Sequence, residues 1–218
     1  MTTSFTEENY LKTIYHLYTD ENGTVSTNAI SESLHTKAAS VTDMLKKLAD
    51  KELINYAKYQ GVTLTKIGKQ KAITIIRKHR LWEVFLVDKL NFKWDEVHDL
   101  AEELEHINSE ILINRLDEFL NFPEKDPHGD PIPDKNGILK SLELITIAKM
   151  NIGQCGKISG VSEHSKDFLQ YLEKTGLTLG QEINVIDKIT FDGAVIVGIN
   201  QREQTISREV AKNLLISL

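Results

Sequence analysis

Residues 38–65 read AASVTDMLKKLADKELINYAKYQGVTLT, and the hydrophobic period changes in the middle of that stretch. From Ala38 to Lys51 the apolar residues Val41, Met44, Leu45 and Leu48 recur at helical spacing. From Leu53 to Thr65 apolar and polar residues alternate on either side of Gln60-Gly61, which predicts a β-hairpin. Two more helices precede this pair. Residues 5–19 carry Tyr10, Leu11, Ile14, Leu17 and Tyr18 at helical spacing, with Glu7 and Glu8 in the first turn, and Asp20-Glu-Asn-Gly23 ends the run. Residues 27–34 turn Ala29, Ile30 and Leu34 inward, and His35-Thr-Lys separates them from Ala38. Three helices and a hairpin within about 70 residues spell a winged helix-turn-helix, whose third helix is shaped to enter a DNA major groove.

Downstream, helical periodicity resumes in three pieces, Lys66–Asn91, Trp94–His106 and Ser109–Asn121. The segment FPEKDPHGDPIPDKNG, residues 122–137, then collects all four prolines of the chain and marks a boundary. Beyond it β-branched runs at Leu142–Ala148, Gly156–Val161, Glu182–Ile189 and Ala194–Ile199 predict strands, with Asp192-Gly193 as a hairpin turn and a short amphipathic helix at Lys166–Glu173. About five short strands fit a small SH3-like β-barrel. The expected fold is therefore α+β. A winged helix-turn-helix occupies residues 1–74, a helical domain 75–140 and the barrel 141–218.

The chain of 218 residues is 40% hydrophobic and 27% charged, which suits a folded globular protein. No apolar run approaches the roughly 18–20 residues that span a bilayer. The first residues lack the basic and apolar regions of a signal peptide, and one cysteine, Cys155, suits a reducing compartment. A cytoplasmic protein with no membrane partner is the expectation. The net charge of −6 argues against a nucleic-acid partner only until it is mapped along the chain. Residues 37–80 hold 11 basic and 3 acidic side chains, a net +8, whereas residues 81–140 hold 6 basic and 15 acidic, a net −9. The first block can meet phosphates and the second cations.

Within the acidic block, His79 and Glu83 stand four apart on one predicted helix. His98, Glu102, Glu105 and His106 share a face of the next, at i, i+4, i+7 and i+8. Carboxylates that converge in a partly buried site repel one another unless a cation joins them. Nitrogen and oxygen donors without thiolate suit Mn²⁺ or Fe²⁺ in geometry, although affinity rises toward Cu²⁺ and Zn²⁺. Two other classes compete with a metal-sensing regulator. Glu103-Leu-Glu-His106 matches the Glu-x-x-His pattern of di-metal carboxylate enzymes, which need four long bundle helices. The third is a winged-helix regulator that senses an organic ligand or a protein partner.

These features together resemble the diphtheria-toxin-repressor and manganese-transport-regulator family of metal-dependent transcriptional repressors, over essentially the whole chain. The resemblance rests on ENYLKTIY (8–15), ASVT (39–42), GVTLTKIG (61–68), RKHRL (77–81), VHD (97–99), EH (105–106) and PHGDPIP (127–133). It implies a non-enzymatic, homodimeric repressor, activated by Mn²⁺ or alternatively Fe²⁺, that binds palindromic operators of metal-homeostasis genes. It implies a primary metal site from Glu102, Glu105, His106 and Asn9, a second from His79, Glu83 and His98, and further ligand candidates Asp126, His128, His164 and Asp167. Glu102, a cysteine in the iron-sensing branch, leans the chain toward manganese. Asn9 departs from the family's usual Asp or Met, and Lys12 replaces a glutamate that completes a binuclear manganese pair. The C-terminal part corresponds to an SH3-like (FeoA-like) domain. For DNA the expected contacts are Lys37, Ser40, Thr42, Asp43, Lys46 and Lys47 around the reading helix, and Lys58 on the wing. A dimer face is expected from Ile107, Ile111, Leu112, Leu116, Phe119 and Leu120.

Overall fold

The computed structural model describes residues 3–21, 23–57, 60–140 and 143–218. Two compact units account for the chain. The first comprises Met1–His79, Glu102–Asn114 and Pro133–Ile138; the second comprises Arg80–Ala101, Arg115–Ile132 and Leu139–Leu218.

In the first unit α1 (Phe5–Glu21) starts on a capping box. The Glu7 amide donates to Ser4 Oγ at 3.4 Å, while the Ser4 amide donates to Glu7 Oε2 at 2.8 Å. The same buried Glu7 carboxylate accepts Lys51 Nζ at 2.7 Å and meets Lys47 Nζ at 3.2 Å, so it ties the start of α1 to the end of α3 (Ala38–Asp50). Between them α2 (Thr27–Ser33) is capped by Ser26, whose side chain accepts from the Ala29 amide. The wing is β1 (Ile54–Ala57) paired antiparallel with β2 (Gly61–Leu64), Ile54 opposite Leu64, and Val25 bridges to Val62 beside it. Leu11, Ile14, Val25, Ile30, Val41, Leu45, Leu48 and Val62 are fully buried, which matches the inward faces read from the period. At the start of α4 (Lys66–Leu90) the backbone lies so close to the wing that a Cβ on Gly68 would sit 1.8 Å from the Leu53 carbonyl oxygen.

Burial alone would raise the Glu7 carboxyl, but Lys51, the Ser4 amide and Lys47 together hold it down at about 2, from an ordinary 4.5. A folded-state value below the unfolded one adds stability that is complete above about pH 4.5 and lost as pH falls toward 2. Glu7→Gln should therefore cost about 1–3 kcal/mol at pH 7. Urea unfolding at stepped pH should also show a shallower loss of stability in that acid window. An unchanged acid limb would assign the anchoring to other contacts.

The second unit holds a six-stranded antiparallel sheet in the order β3-β8-β4-β5-β6-β7. Its strands are β3 (Ile145–Thr146), β4 (Cys155–Val161), β5 (Glu182–Lys188), β6 (Val195–Ile199), β7 (Arg202–Ile206) and β8 (Leu214–Ser217). Register shifts at Ile158/Gly160 and Val185/Asp187 bend it around a core that includes Ile147, Ile158, Leu169, Leu172, Val185, Val197 and Ile216. Helices α7 (Lys166–Thr175) and α8 (Arg208–Asn213) contribute Leu169, Leu172, Val210 and Ala211 to that core, and Trp94 packs against it.

Three expectations are corrected. The strand read over Leu142–Ala148 is only Ile145–Thr146 followed by a 3-10 turn at Ile147–Lys149, and Leu142 lies outside the described residues. The helix read over Trp94–His106 is α5, His98–Leu104, with Glu105 and His106 in the turn that follows it. Of the expected dimer face on α6 (Glu110–Phe119) and beyond, Ile111, Leu112 and Phe119 are exposed, but Leu116 and Leu120 are buried. Among the described residues no helix is long and apolar enough to cross a membrane.

Candidate functional site

In the first unit one turn of chain, residues 102–106, faces the first two turns of α1. Because α5 stops at Leu104, Glu105 is released from the helical face and turns fully inward. Its Oε2 receives His79 Nδ1 at 2.7 Å and Lys12 Nζ at 2.9 Å. The same ammonium lies 3.1 Å from Glu102 Oε1. Burial would raise the Glu105 carboxyl, yet the hydrogen bond from His79 and the Lys12 charge more than offset it, and it stays below the usual carboxylate range. His106 is held from the other side. Its Nδ1 donates to Glu8 Oε2 at 2.7 Å, and the Phe5 ring stacks on it at 4.4 Å. A Nδ1–H bond to Glu8 leaves the Nε2 lone pair facing Glu105 Oε1 across 4.0 Å.

That gap is informative because, among the described residues, Glu105 Oε1 and Asn9 Oδ1 are both buried acceptors without a hydrogen-bond partner. Buried oxygens are left unpaired at a cost of about 1–3 kcal/mol each unless something else satisfies them. A 4.0 Å separation is too long for a hydrogen bond. Glu105 Oε1 and His106 Nε2 thereby present an oxygen and a nitrogen donor toward each other, the donor types that suit a divalent ion. Glu8 was not among the expected site residues, although it stands next to Asn9 in the ENYLKTIY segment. Its role is to fix the His106 ring and tautomer, as a carboxylate behind a ligand histidine does.

The second unit holds a separate cluster. Ligand atoms of Glu83, Asp126 and His128 lie within 4.8 Å of one another, and all three residues are buried. His128 Nε2 donates to the Trp94 carbonyl at 2.9 Å, which turns Nδ1 toward Glu83 Oε2 at 3.6 Å and Asp126 Oδ1 at 4.0 Å. His98 Nδ1 stands 3.7 Å from Glu83 Oε1, with its ring half exposed. The His164 ring lies 5.0 Å from that of His128, and its Nε2 is 4.0 Å from Asp130 Oδ2. Arg80 Nη2 binds Asp130 Oδ2 at 3.0 Å, and Arg80 Nε reaches Asp126 Oδ2 at 3.5 Å. Burial, then the Glu83 and Asp130 charges, push the Asp126 carboxyl up to about 7 despite Arg80. Burial presses the His128 imidazolium down, but Glu83 and Asp126 more than reverse it. The buried Glu83 and Asp126 and the partly exposed Asp130 thus gather around one guanidinium and one imidazole, a set of oxygen and nitrogen donors that a cation can join.

Asp126 also accepts the His128 and Asp130 amides at 2.8 and 3.0 Å, so the turn and the ligand pattern share one side chain. Arg80 and Asp130 escaped the sequence reading although RKHRL and PHGDPIP contain them. Of the expected second set, ligand atoms of His79, Glu83 and His98 lie within 4.8 Å of one another, with His79 and Glu83 buried and His98 exposed, and His79 Nδ1 also meets Glu105 Oε2 at 2.7 Å. Asp167 is exposed in the first turn of α7 and joins no cluster among the described residues. Glu103 is exposed as well, so the Glu-x-x-His pattern does not converge, and α5 has seven residues instead of a long bundle helix.

Lys37, just before α3, and Ser40, Asp43 and Lys46 on it are exposed, and Lys46 Nζ rests 3.2 Å from Asp43 Oδ1. Thr42 is partly covered and donates its hydroxyl to the Ala38 carbonyl at 2.9 Å. Lys47 is exposed too, with its Nζ 3.2 Å from Glu7 Oε1. Lys58 lies outside the described residues.

Comparison with known proteins matches three successive stretches of the chain. Residues 2–62 match a family described as iron dependent repressor, N-terminal DNA binding domain; residues 65–134 match iron dependent repressor, metal binding and dimerisation domain; residues 145–218 match the FeoA domain. The diphtheria toxin repressor of Corynebacterium glutamicum is 30% identical over 89% of this chain and 88% of its own length. The iron-dependent repressor IdeR of Mycobacterium leprae is 39% identical over 59% of this chain, a match that spans 55% of the mycobacterial protein. A solved manganese-dependent transcriptional repressor in complex with manganese superposes with a TM-score of 0.87 at 32% identity, covering 97% of this chain and 100% of that one.

Proposed function

From the premise that the chain belongs to the iron-dependent repressor family, we propose that it is a metal-dependent, DNA-binding transcriptional repressor. In this reading it works as a cytoplasmic homodimer, senses Mn²⁺ or alternatively Fe²⁺, and binds palindromic operators of metal-homeostasis genes. Residues 1–74 would read DNA, 75–140 bind metal and dimerise, and 141–218 form the accessory barrel.

The observation that carries the reading is the pair of orphaned buried oxygens, Asn9 Oδ1 and Glu105 Oε1, with the second facing His106 Nε2. Asn9, Glu102, Glu105 and His106 would hold the first ion. Glu83, His98, Asp126 and His128 would hold a second, with His164 beside them. His79 serves the first centre by gripping Glu105 Oε2 at 2.7 Å. A bound divalent cation would neutralise these carboxylates and link α1 to the 102–106 turn. The protein's own part is to present donors. Glu8 fixes the His106 tautomer, the Trp94 carbonyl fixes that of His128, and Asn9 brings the first helix of the reading head into the ligand set. Glu102 and Glu105, oxygen donors without thiolate, favour the manganese assignment.

For DNA, the exposed Lys37, just before α3, and Lys46 on it would neutralise phosphates, and Ser40 is short enough to let the helix approach base edges. The exposed Ile111, Leu112 and Phe119 supply an apolar patch for dimerisation. Two copies of α3 would then sit about 34 Å apart, one turn of DNA. Metal and DNA must tighten one another by the same factor. Anisotropy on duplexes selected from genomic fragments, titrated anaerobically with Mn²⁺, with Fe²⁺ and with chelator, should show at least a tenfold gain with metal, about 1.4 kcal/mol. Equal affinity in chelator and in metal overturns the proposal.

A further inference from the structure

The first centre already contains a cation, and it is covalently part of the chain. Lys12 stands one helical turn after Glu8 and Asn9 on α1, and its side chain is 12% exposed. Its ammonium lies 3.1 Å from Glu102 and 2.9 Å from the fully buried Glu105. Those two carboxylates are the ones assigned to the metal, so ammonium and metal ion compete for the same charge. Around the turn stand three carboxylates, Glu8, Glu102 and Glu105, against two buried or nearly buried lysines, Lys12 and Lys78, of which Lys78 feels both Glu8 and Glu105. Over these five side chains alone the charges sum to one excess negative charge. A divalent ion added with Lys12 in place would make it positive, with two cations crowded onto one carboxylate pair in a medium that screens poorly. With Lys12 swung out to solvent, which its flexible four-carbon stem permits, the same ion brings the remaining charges to neutrality.

We propose that Lys12 is a resident counter-cation of the first centre. Its ammonium holds Glu102 and Glu105 in the metal-free protein, and a divalent ion binds there only by displacing it. Lys12 thereby sets the metal concentration at which the centre fills. The inference rests on the reading of Glu105 as a metal ligand. Its physical content is separate, because it predicts that removing a positive charge strengthens metal binding while weakening the metal-free fold. The orphaned Glu105 Oε1 agrees with this picture, since Lys12 and His79 both take the other oxygen, Oε2, and leave Oε1 facing His106.

The test compares the full chain with Lys12→Met, which keeps the length and apolar stem of the side chain, and with Glu105→Gln. Mn²⁺ affinity and stoichiometry are read from the paramagnetic resonance of free Mn²⁺ in competition with a chelator, and thermal unfolding is followed in chelator. Lys12→Met should bind Mn²⁺ at this centre at least tenfold tighter with unchanged stoichiometry, and its metal-free form should melt lower. Lys12→Gln, which keeps a donor without the charge, replaces Lys12→Met if that variant does not fold without metal. Equal or weaker binding in the charge-removed variant, while Glu105→Gln loses one ion, overturns the role of Lys12 alone. A Glu105→Gln protein that keeps every ion overturns the centre itself, and the proposal with it.

Discussion

Glu105→Gln is expected to weaken Mn²⁺ or Fe²⁺ binding at the first centre at least a hundredfold and to abolish most metal-dependent DNA affinity. The amide keeps the shape of the side chain but removes the charge on which Lys12 and His79 converge at 2.9 and 2.7 Å. Breaking a buried ion pair by removing one partner costs about 3–5 kcal/mol, because the other charge is left in a poorly solvating site. Gln retains some hydrogen bonding, so about 2–4 kcal/mol is the expected loss in chelator. Two measurements check this, chelator competition for the metal and thermal unfolding with and without it. A variant that keeps full affinity would move the ligand role elsewhere, and one that keeps full stability would mean that Lys12 and His79 find other partners.

The second large effect is expected at Gly129→Ala. Gly129 has φ +93°, a conformation that L side chains rarely adopt, and its Cβ would stand 2.2 Å from the Ser159 carbonyl oxygen and 2.5 Å from Gly160 Cα. Both neighbours are backbone of β4, so neither can turn aside. The residues on either side, His128 and Asp130, belong to the second cluster, and the His128 carbonyl accepts the Val161 amide at 3.0 Å. The loop must therefore lift from the strand or the strand must distort, at a cost above about 3 kcal/mol. Urea unfolding should register that loss, and Mn²⁺ stoichiometry should fall by one ion as His128 and Asp126 leave Glu83. Wild-type stability and stoichiometry in Gly129→Ala would exclude the loop as the frame of that site.

Period and punctuation carried most of the architecture. The helical spacing of Val41, Leu45 and Leu48 and the alternation around Gln60-Gly61 reappear as a buried α3 face and an antiparallel wing. Capping chemistry was equally local, since Ser4-Phe-Thr-Glu7 is a capping box in the chain before it is one in space. The barrel was harder to read. REQTI, which forms β7, is mostly polar because only one of its residues is fully buried, and the C-terminal LLIS is too short to distinguish a strand from a helix end. Trp94-Asp-Glu-Val97 carries Trp and Val at i, i+3 and so passes for helix in sequence, but it folds as a turn and α5 starts at His98.

For the site, the sequence alone determined which residue types are available and that they are concentrated in the acidic stretch. Composition and spacing of His, Glu and Asp are properties of the chain itself. Which of them meet was decided by tertiary structure. A helix that ends at Leu104 instead of His106 rotates Glu105 and His106 off the face shared with His98 and Glu102. Glu105 then meets Lys12 and His79, residues 93 and 26 positions away, and His106 meets Glu8 at a separation of 98. Residue identity sets only what each group can bind. The distance and burial that turn it into a ligand, a lock on a tautomer or a competing cation come from packing between segments far apart in the chain, where a carboxylate without a partner is too costly to leave alone.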